Sequence, residues 1–273
     1  ILKGGFLSST KLKDVPMELF TESLDLRTVK EIIISAEELG LKKIKKIQYD
    51  LIICDVMMPV MDGFQFLKAL RVLNVDIPVI ITTGYSTTEI AKKSVFEGGI
   101  DFLPKPFTYD ELISVIKRAL VYSDIRVNLL KNGASENPGS NADGMNFRRC
   151  PETHLRFGYG SWTCDQSEGM AKIGVTDLYL KTVGPVESIE MMQPGDEVFQ
   201  GSQCAWIYSP DELKHQILAP FSGRIIEKNG TLENDLPLIE RDPFNTGWLY
   251  VIVPSNRSTE SRFLLPCDSA VIG

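Results

Sequence analysis

The sequence predicts two folded units: a doubly wound α/β domain on a five-stranded parallel sheet, then a small, mostly-β domain. Three observations carry this. Over residues 13–122, short apolar runs alternate five times with stretches of helical periodicity, the pattern of a parallel sheet wrapped by helices. Residues 132–144 (NGASENPGSNADG) are rich in Gly, Ser, Asn and Pro and offer almost nothing to bury. Beyond Cys150 the apolar runs shorten, and turn signals such as Gly195-Asp196 and Ser222-Gly223 separate them. A chain of 273 residues is long for one domain and comfortable for two. The boundaries drawn are 1–123 for the α/β domain, 124–149 for a flexible linker, 150–256 for the β domain and 257–273 for a tail.

Taken in order, Ser8–Lys13 is the first strand, less apolar than a central strand should be. Pro16 suits the first turn of a helix carrying Leu19, Phe20 and Leu24. Glu31–Ile34 reads as a strand, and Ser35-Ala36-Glu37-Glu38 opens the next helix as a capping box. Lys42, Lys43, Lys45 and Lys46 form the solvated face of that helix around Leu39, Ile44 and Ile47. Leu51–Cys54 is a continuous apolar run, which fits a strand buried on both faces. A helix from Gly63 to Leu73, a strand Pro78–Thr82 and a helix from Thr87 to the Gly98-Gly99 stop follow. The last strand is Ile100–Leu103. The last helix, Tyr109–Val121, has one apolar stripe of Leu112, Ile113, Ile116, Ala119 and Leu120.

Chemistry gathers at the carboxyl ends of these strands, where open α/β sheets place it. Asp55 ends the central apolar run, Thr82-Thr83-Gly84-Tyr85 ends the fourth strand, and Phe102-Leu103-Pro104-Lys105-Pro106-Phe107 ends the fifth. The stretch DLIICDVMMPVMDG, with those two segments at their spacing, resembles the receiver domain of two-component response regulators over residues 13–122. That resemblance implies a flavodoxin-like fold with Asp55 as phosphoacceptor. It implies that Thr83 contacts the phosphoryl group, that Lys105 pairs with it, and that Phe102 is the aromatic switch on the output face. It further implies a cis Lys105–Pro106 peptide and a Mg2+ ion held by Asp55, the Met57 backbone carbonyl and a strand-one acid, here Asp14. A phosphoaspartate needs its added charge met by a cation and fixed donors, because phosphoryl transfer rests on positioning and electrostatics. Magnesium takes oxygen ligands and keeps several waters.

The first strand departs from the family. Receivers end it on two adjacent acids; this chain has Lys13-Asp14. One acid is replaced by an ammonium that weakens Mg2+ binding, and a phosphorylation-independent pseudo-receiver scaffold stays open. Cys54 reads as core.

In the β domain, Ala171–Val175, Val186–Met191, Gln203–Tyr208, Ile217–Ala219, Gly223–Lys228 and Trp248–Val253 read as strands. Trp162, AKIGVTD (171–177), PGDEV (194–198), APFSG (219–223), Asp242-Pro243-Phe244, Gly247-Trp248-Leu249 and Pro254-Ser255-Asn256 recur in order. Together they resemble the H protein of the glycine cleavage system, a lipoyl-carrying barrel-sandwich fold. H proteins carry lipoate on a lysine in an E-S-V-K-A hairpin tip. Here the tip reads Tyr208-Ser209-Pro210-Asp211-Glu212-Leu213-Lys214, one residue longer, with Asp211 or Glu212 at the modified position. A carboxylate cannot form the amide, so lipoate is not expected; Lys214 is the one candidate left nearby. His215 shows no nucleophile or acid partner in the sequence and reads as structural.

Composition narrows the function. Hydrophobic residues at 43% and charged residues at 24% are those of soluble globular protein, with no apolar run of membrane-spanning length and no signal-peptide pattern. The five scattered cysteines form no C-x-x-C pair, so reduced thiols and a cytoplasmic location are expected. Net charge is −7, with 16 basic against 17 acidic residues through Ile125 and 13 against 19 beyond it. A DNA-reading output domain carries a basic footprint, and this one is acidic, so no nucleic-acid partner is expected. The expectation is a response regulator with no enzymatic activity beyond Mg-dependent phosphoryl acceptance and autodephosphorylation. Its expected partners are a sensor histidine kinase or phosphotransfer protein, a protein bound by the H-like domain, and a second receiver. The alternative is a lipoyl carrier on Lys214, with the receiver as its control module.

Overall fold

The computed structural model describes residues 32–34, 44, 49–58, 61–84, 87–131 and 147–267, the backbone alone for 32–34 and 129–131. They fall into two compact units. One holds the described residues up to Gly84 together with Glu97–Ser123, and the other holds Thr87–Phe96 with those from Asp124 onward.

The described strands of the first part of the chain are β1 (Ile32–Ile34), β2 (Leu51–Asp55), β3 (Val79–Thr83) and β4 (Asp101–Pro104), all parallel, in that spatial order. In the flavodoxin-like order 2-1-3-4-5, the third strand lies beside the first. Here β1, the second strand expected from sequence, pairs directly with β2, Ile32 opposite Leu51 and Ile34 opposite Ile53. The expected first strand, with Lys13 and Asp14, lies outside the described residues, as do the helix with Leu19 and the Ser35–Glu38 capping box. Of the lysine-rich helix, Ile44 is described: helical and buried.

Helix α1 (Gly63–Val72) starts on a capping box: the Gln65 N–H donates to Asp62 Oδ1 at 2.7 Å, and the Asp62 N–H donates to Gln65 Oε1 at 3.0 Å. Helices α2 (Thr88–Phe96) and α3 (Tyr109–Lys131) follow. Leu51, Ile53, Ile80 and Leu103 from the sheet pack on Val115, Ile116 and Ala119 of α3 to make the core. Helix α3 runs ten residues past the expected stop at Val121. No Gly or Pro interrupts the sequence before Gly133, and Ile125 is buried. Residues 124–131, assigned above to the linker, therefore belong to this helix; residues 132–146 lie outside the described residues.

The second part of the chain is antiparallel. Strands β5 (Leu155–Phe157), β6 (Ser161–Asp165), β7 (Ala171–Val175), β9 (Glu197–Val198), β12 (Gly223–Lys228), β13 (Tyr250–Pro254) and β14 (Leu265–Pro266) form a seven-stranded sheet, in order β14-β5-β6-β7-β13-β12-β9. Strands β8 (Ser188–Met191), β10 (Gln203–Tyr208) and β11 (Lys214–Leu218) form a second sheet, in order β11-β10-β8. Side chains tie the two together. The Tyr250 hydroxyl donates to the Cys204 carbonyl at 2.9 Å, and the Ser161 hydroxyl donates to the Leu218 carbonyl at 2.7 Å. Helix α4 (Asp177–Val183), capped by the Thr176 hydroxyl, follows β7.

Buried Trp162 centres the core, its indole N–H donating to the carbonyls of Val175 (3.0 Å) and Pro243 (3.1 Å). Gly174 makes room for it: a Cβ there would sit 2.5 Å from the indole.

Two sequence expectations change here. Residues 257–267, set apart as a tail, are built into the domain. Glu260, in the short helix α5 (Arg257–Glu260), is buried and accepts the Ser222 N–H (2.8 Å) and hydroxyl (2.5 Å). Cys150 and Cys267, expected as thiols, are joined by a disulfide with 5.4 Å between their Cα atoms. Their 117-residue separation hides a proximity that only the folded sheet creates. Among the described residues, no helix is long and apolar enough to cross a membrane.

Candidate functional site

Two sites were expected, one at the strand ends of the α/β unit and one at a hairpin tip of the β unit.

At the first, Asp55 closes β2 and Lys105 follows β4. The Lys105 ammonium lies 2.5 Å from Asp55 Oδ2, while Asp55 Oδ1 accepts the Met57 N–H at 3.0 Å. Both carboxylate oxygens thus meet a donor before any ligand arrives. Strand register brings in the third member: Asp55 pairs with Thr82 and Thr83 with Pro104, and the Lys105 N–H donates to the Thr83 carbonyl at 2.8 Å. Thr83 is fully buried. The Lys105–Pro106 peptide is cis. Phe102, assigned to the switch position, is buried in β4 opposite Ile81. Asp55 and the Met57 carbonyl are oxygen donors of the type magnesium takes, and both stand at this strand end. Among the described residues no group of three or more His, Cys, Asp or Glu gathers, and Asp14 lies outside them.

Sequence reasoning missed two supports of this site. Gly63 packs against the Asp55 backbone, where a Cβ would sit 2.7 Å from the Asp55 carbonyl oxygen. Arg118 of α3 is buried and donates to Asp101 Oδ2 through Nε (3.1 Å) and a terminal nitrogen (2.5 Å), and to the Ser114 hydroxyl (2.7 Å). This pins the start of β4, and with it the strand that delivers Phe102 and Lys105. An Asp at the start of a predicted strand and an Arg on the apolar side of the last helix were the available signals. Cys54 is inert as expected: burial first, then the charges of Asp55 and Asp62, push its thiol up to about 12.

At the second site, β10 and β11 form a hairpin with a five-residue loop, Ser209–Leu213, in which Glu212 has φ +62°. The expected strand at Ile217 begins earlier. Lys214 pairs across from Tyr208 and His215 across from Ile207, so Lys214 stands in the strand and not in the loop. Its ammonium lies 4.1 Å from the Trp206 ring centre, 5.4 Å from that of Tyr208 and 3.5 Å from Glu190 Oε2. Burial pulls its pKa down, but Tyr208 and Glu190 outweigh this and hold it above the ordinary lysine value. The loop apex carries Asp211 and Glu212, both exposed. His215 does have a partner: Ser209 Oγ lies 2.9 Å from His215 Nε2 and donates to Asp211 Oδ1 at 2.5 Å. Ser209 and His215 are both buried, so the pair braces the loop and presents no hydroxyl to a substrate.

Comparison with known proteins separates the chain in the same way. Residues 16–117 match the response regulator receiver domain model, and residues 155–270 match the glycine cleavage H-protein model. The transcriptional regulatory protein ZraR of Escherichia coli O157:H7 is 39% identical over 86 residues, 32% of this chain and 20% of that protein. The DNA-binding transcriptional regulator NtrC of Proteus hauseri is 38% identical over 82 residues, 30% of this chain and 17% of that protein. The chain thus spans about a fifth of the length of these regulators. The glycine cleavage system H protein of Shewanella frigidimarina is 32% identical over 107 residues, 39% of this chain and 81% of that protein.

Proposed function

We infer, from a chain that belongs to the response-regulator receiver family over residues 16–117 and to the glycine cleavage H-protein family over residues 155–270, that it is a two-component response regulator whose H-like domain binds a partner without carrying lipoate. Asp55 accepts a phosphoryl group from a sensor kinase or phosphotransfer protein. The observation that carries this is the Lys105–Asp55 pair, a cation already seated where the transferred group's negative charge would arrive. In the transfer, a carboxylate oxygen of Asp55 forms the new P–O bond and the donor's leaving group departs with its electron pair. Lys105 then pairs with phosphoryl oxygens, Thr83 supplies a hydroxyl, and the movement reshapes the strand end that carries Phe102. Magnesium, held by Asp55 and Met57, would neutralise charge on the transferring group.

No catalytic turnover beyond autodephosphorylation is assigned. The carrier reading has less support. The modified position holds Asp211 or Glu212, and the nearest lysine, Lys214, stands in β11 opposite Tyr208 and not in the loop.

The test is transfer of labelled phosphate from acetyl phosphate to the full chain in magnesium. Labelling lost in Asp55→Asn and reduced in Lys105→Met is the expected result. Equal labelling of Asp55→Asn and wild type would overturn the assignment.

A further inference from the structure

We propose that Cys150 and Cys267 form a reversible redox latch that holds β14 on the edge of the seven-stranded sheet and, when reduced, uncovers β5 as a free strand edge. The proposal is independent of the phosphoryl and lipoyl readings.

The latch stands at the point where the edge is weakest. Strand β14 is two residues long and pairs with β5 only as Leu265 opposite Arg156 and Pro266 opposite Leu155. Pro266 has no N–H to donate, and Leu265 is exposed. Beyond it, the Cys267 N–H donates to the His154 carbonyl at 3.2 Å. So short a strand does not hold its place by pairing alone. The residues before it are anchored independently: Leu264 is buried, and Glu260 is bonded to Ser222. Opening the disulfide therefore frees Leu265–Cys267 and leaves the rest of the sheet in place. Strand β5 then becomes the edge of the sheet, its backbone groups on that side open to solvent exchange.

The pairing is also chemically selective. Cα atoms 5.4 Å apart lie within the range a disulfide spans. Cys150 is partly exposed and Cys267 is buried, so Cys150 is the more accessible of the two to a small reagent. The other three cysteines are not bonded. Burial pushes the thiols of Cys54 and Cys204 up to about 12 and raises that of Cys164, which leaves them poor nucleophiles. To close the latch, the two thiols give up two protons and two electrons to a low-molecular-weight disulfide. That disulfide's S–S bond breaks as the Cys150–Cys267 bond forms, by way of a mixed disulfide on Cys150, and it leaves as two thiols. Opening is the reverse.

The experiment equilibrates the full chain with glutathione at a series of reduced-to-oxidised ratios. Each sample is then quenched in acid, denatured, labelled with a maleimide and weighed intact, with peptide mapping of any cross-link. The expected result is five labels in the reduced form and three in the oxidised form, with Cys150 joined to Cys267. In parallel, hydrogen exchange at residues 155–157 and 267 should be about tenfold or more faster in the reduced form, with 171–175 unchanged. Cys267→Ser held under oxidising conditions should show the reduced pattern. Five labels at every ratio would overturn the proposal. So would a cross-link that forms without slowing exchange at 155–157.

Discussion

Replacing Arg118 with Met isolates the buried pair that positions β4. The Arg118 side chain is 1% exposed and that of Asp101 8%, and the guanidinium gives two bonds to Asp101 and one to Ser114. Removing one partner leaves the Asp101 carboxylate buried without its counter-charge, which costs about 3–5 kcal/mol. At about 1.4 kcal/mol per tenfold, that is a factor between roughly a hundred and a few thousand in the unfolding equilibrium. All three tryptophans (162, 206 and 248) lie in the β domain, so their fluorescence does not follow the receiver. Hydrogen exchange of the buried β2 and β3 amides does. Their protection should fall by that factor in Arg118→Met. Adding Asp101→Asn, which removes the stranded charge, should restore part of it. A loss under about tenfold, or a double variant no more stable than the single one, would refute the assignment of this pair as the clamp on β4.

Other consequences are as direct. Gly174→Ala drives a Cβ to 2.5 Å from an indole fixed by two hydrogen bonds, so the urea midpoint by tryptophan fluorescence should fall by the equivalent of about 1–3 kcal/mol. An unchanged midpoint would mean the ring moves freely. His154 lies 4.7 Å from the Trp162 ring and edge-on to Phe244, and burial holds its pKa below the usual 6.5. The unfolded chain therefore binds its proton first. This contribution to stability is complete above about pH 6.5 and is lost as pH falls through that value toward the lower folded pKa, a slope that His154→Phe should flatten. Lys214→Ala removes a partly exposed cation and should cost no more than about 1 kcal/mol by the same fluorescence assay.

The proposed phosphoacceptor site was largely readable because its members sit at strand ends and sequence marks strand ends well. An apolar run stopping at Asp55, a Thr-Thr-Gly and a Lys-Pro each announce themselves locally, and parallel register then brings Asp55 and Lys105 together. What the sequence hides is long-range. The Arg118–Asp101 pair looks like two ordinary charges until α3 folds over β4. The Cys150–Cys267 bond depends on β14 returning to β5 across the whole domain. Strands β5 and β6 are not legible as strands because they are short and set only three residues apart, with Gly158 and Gly160 in the turn between them, although Trp162, which stands out in the sequence, lies in β6. Lys214 was read as a loop residue because Pro210 and the two acids suggested a longer turn. Cross-strand pairing with Tyr208 sets the true register, and that pairing is not a local property. The outward pull of hydrophobicity misled at the C-terminus too: nothing in the sequence around Glu260 tells that a charged residue is buried against Ser222.

The most direct measurement is the intact mass of the full chain, as purified and after incubation with magnesium and acetyl phosphate, for wild type and Asp55→Asn. The expected result is no lipoyl adduct at the outset and the mass of one phosphate added to wild type alone. Phosphate on Asp55→Asn, or none on wild type, would contradict phosphoryl acceptance at Asp55. A lipoyl adduct on Lys214 would return the β domain to carrier chemistry.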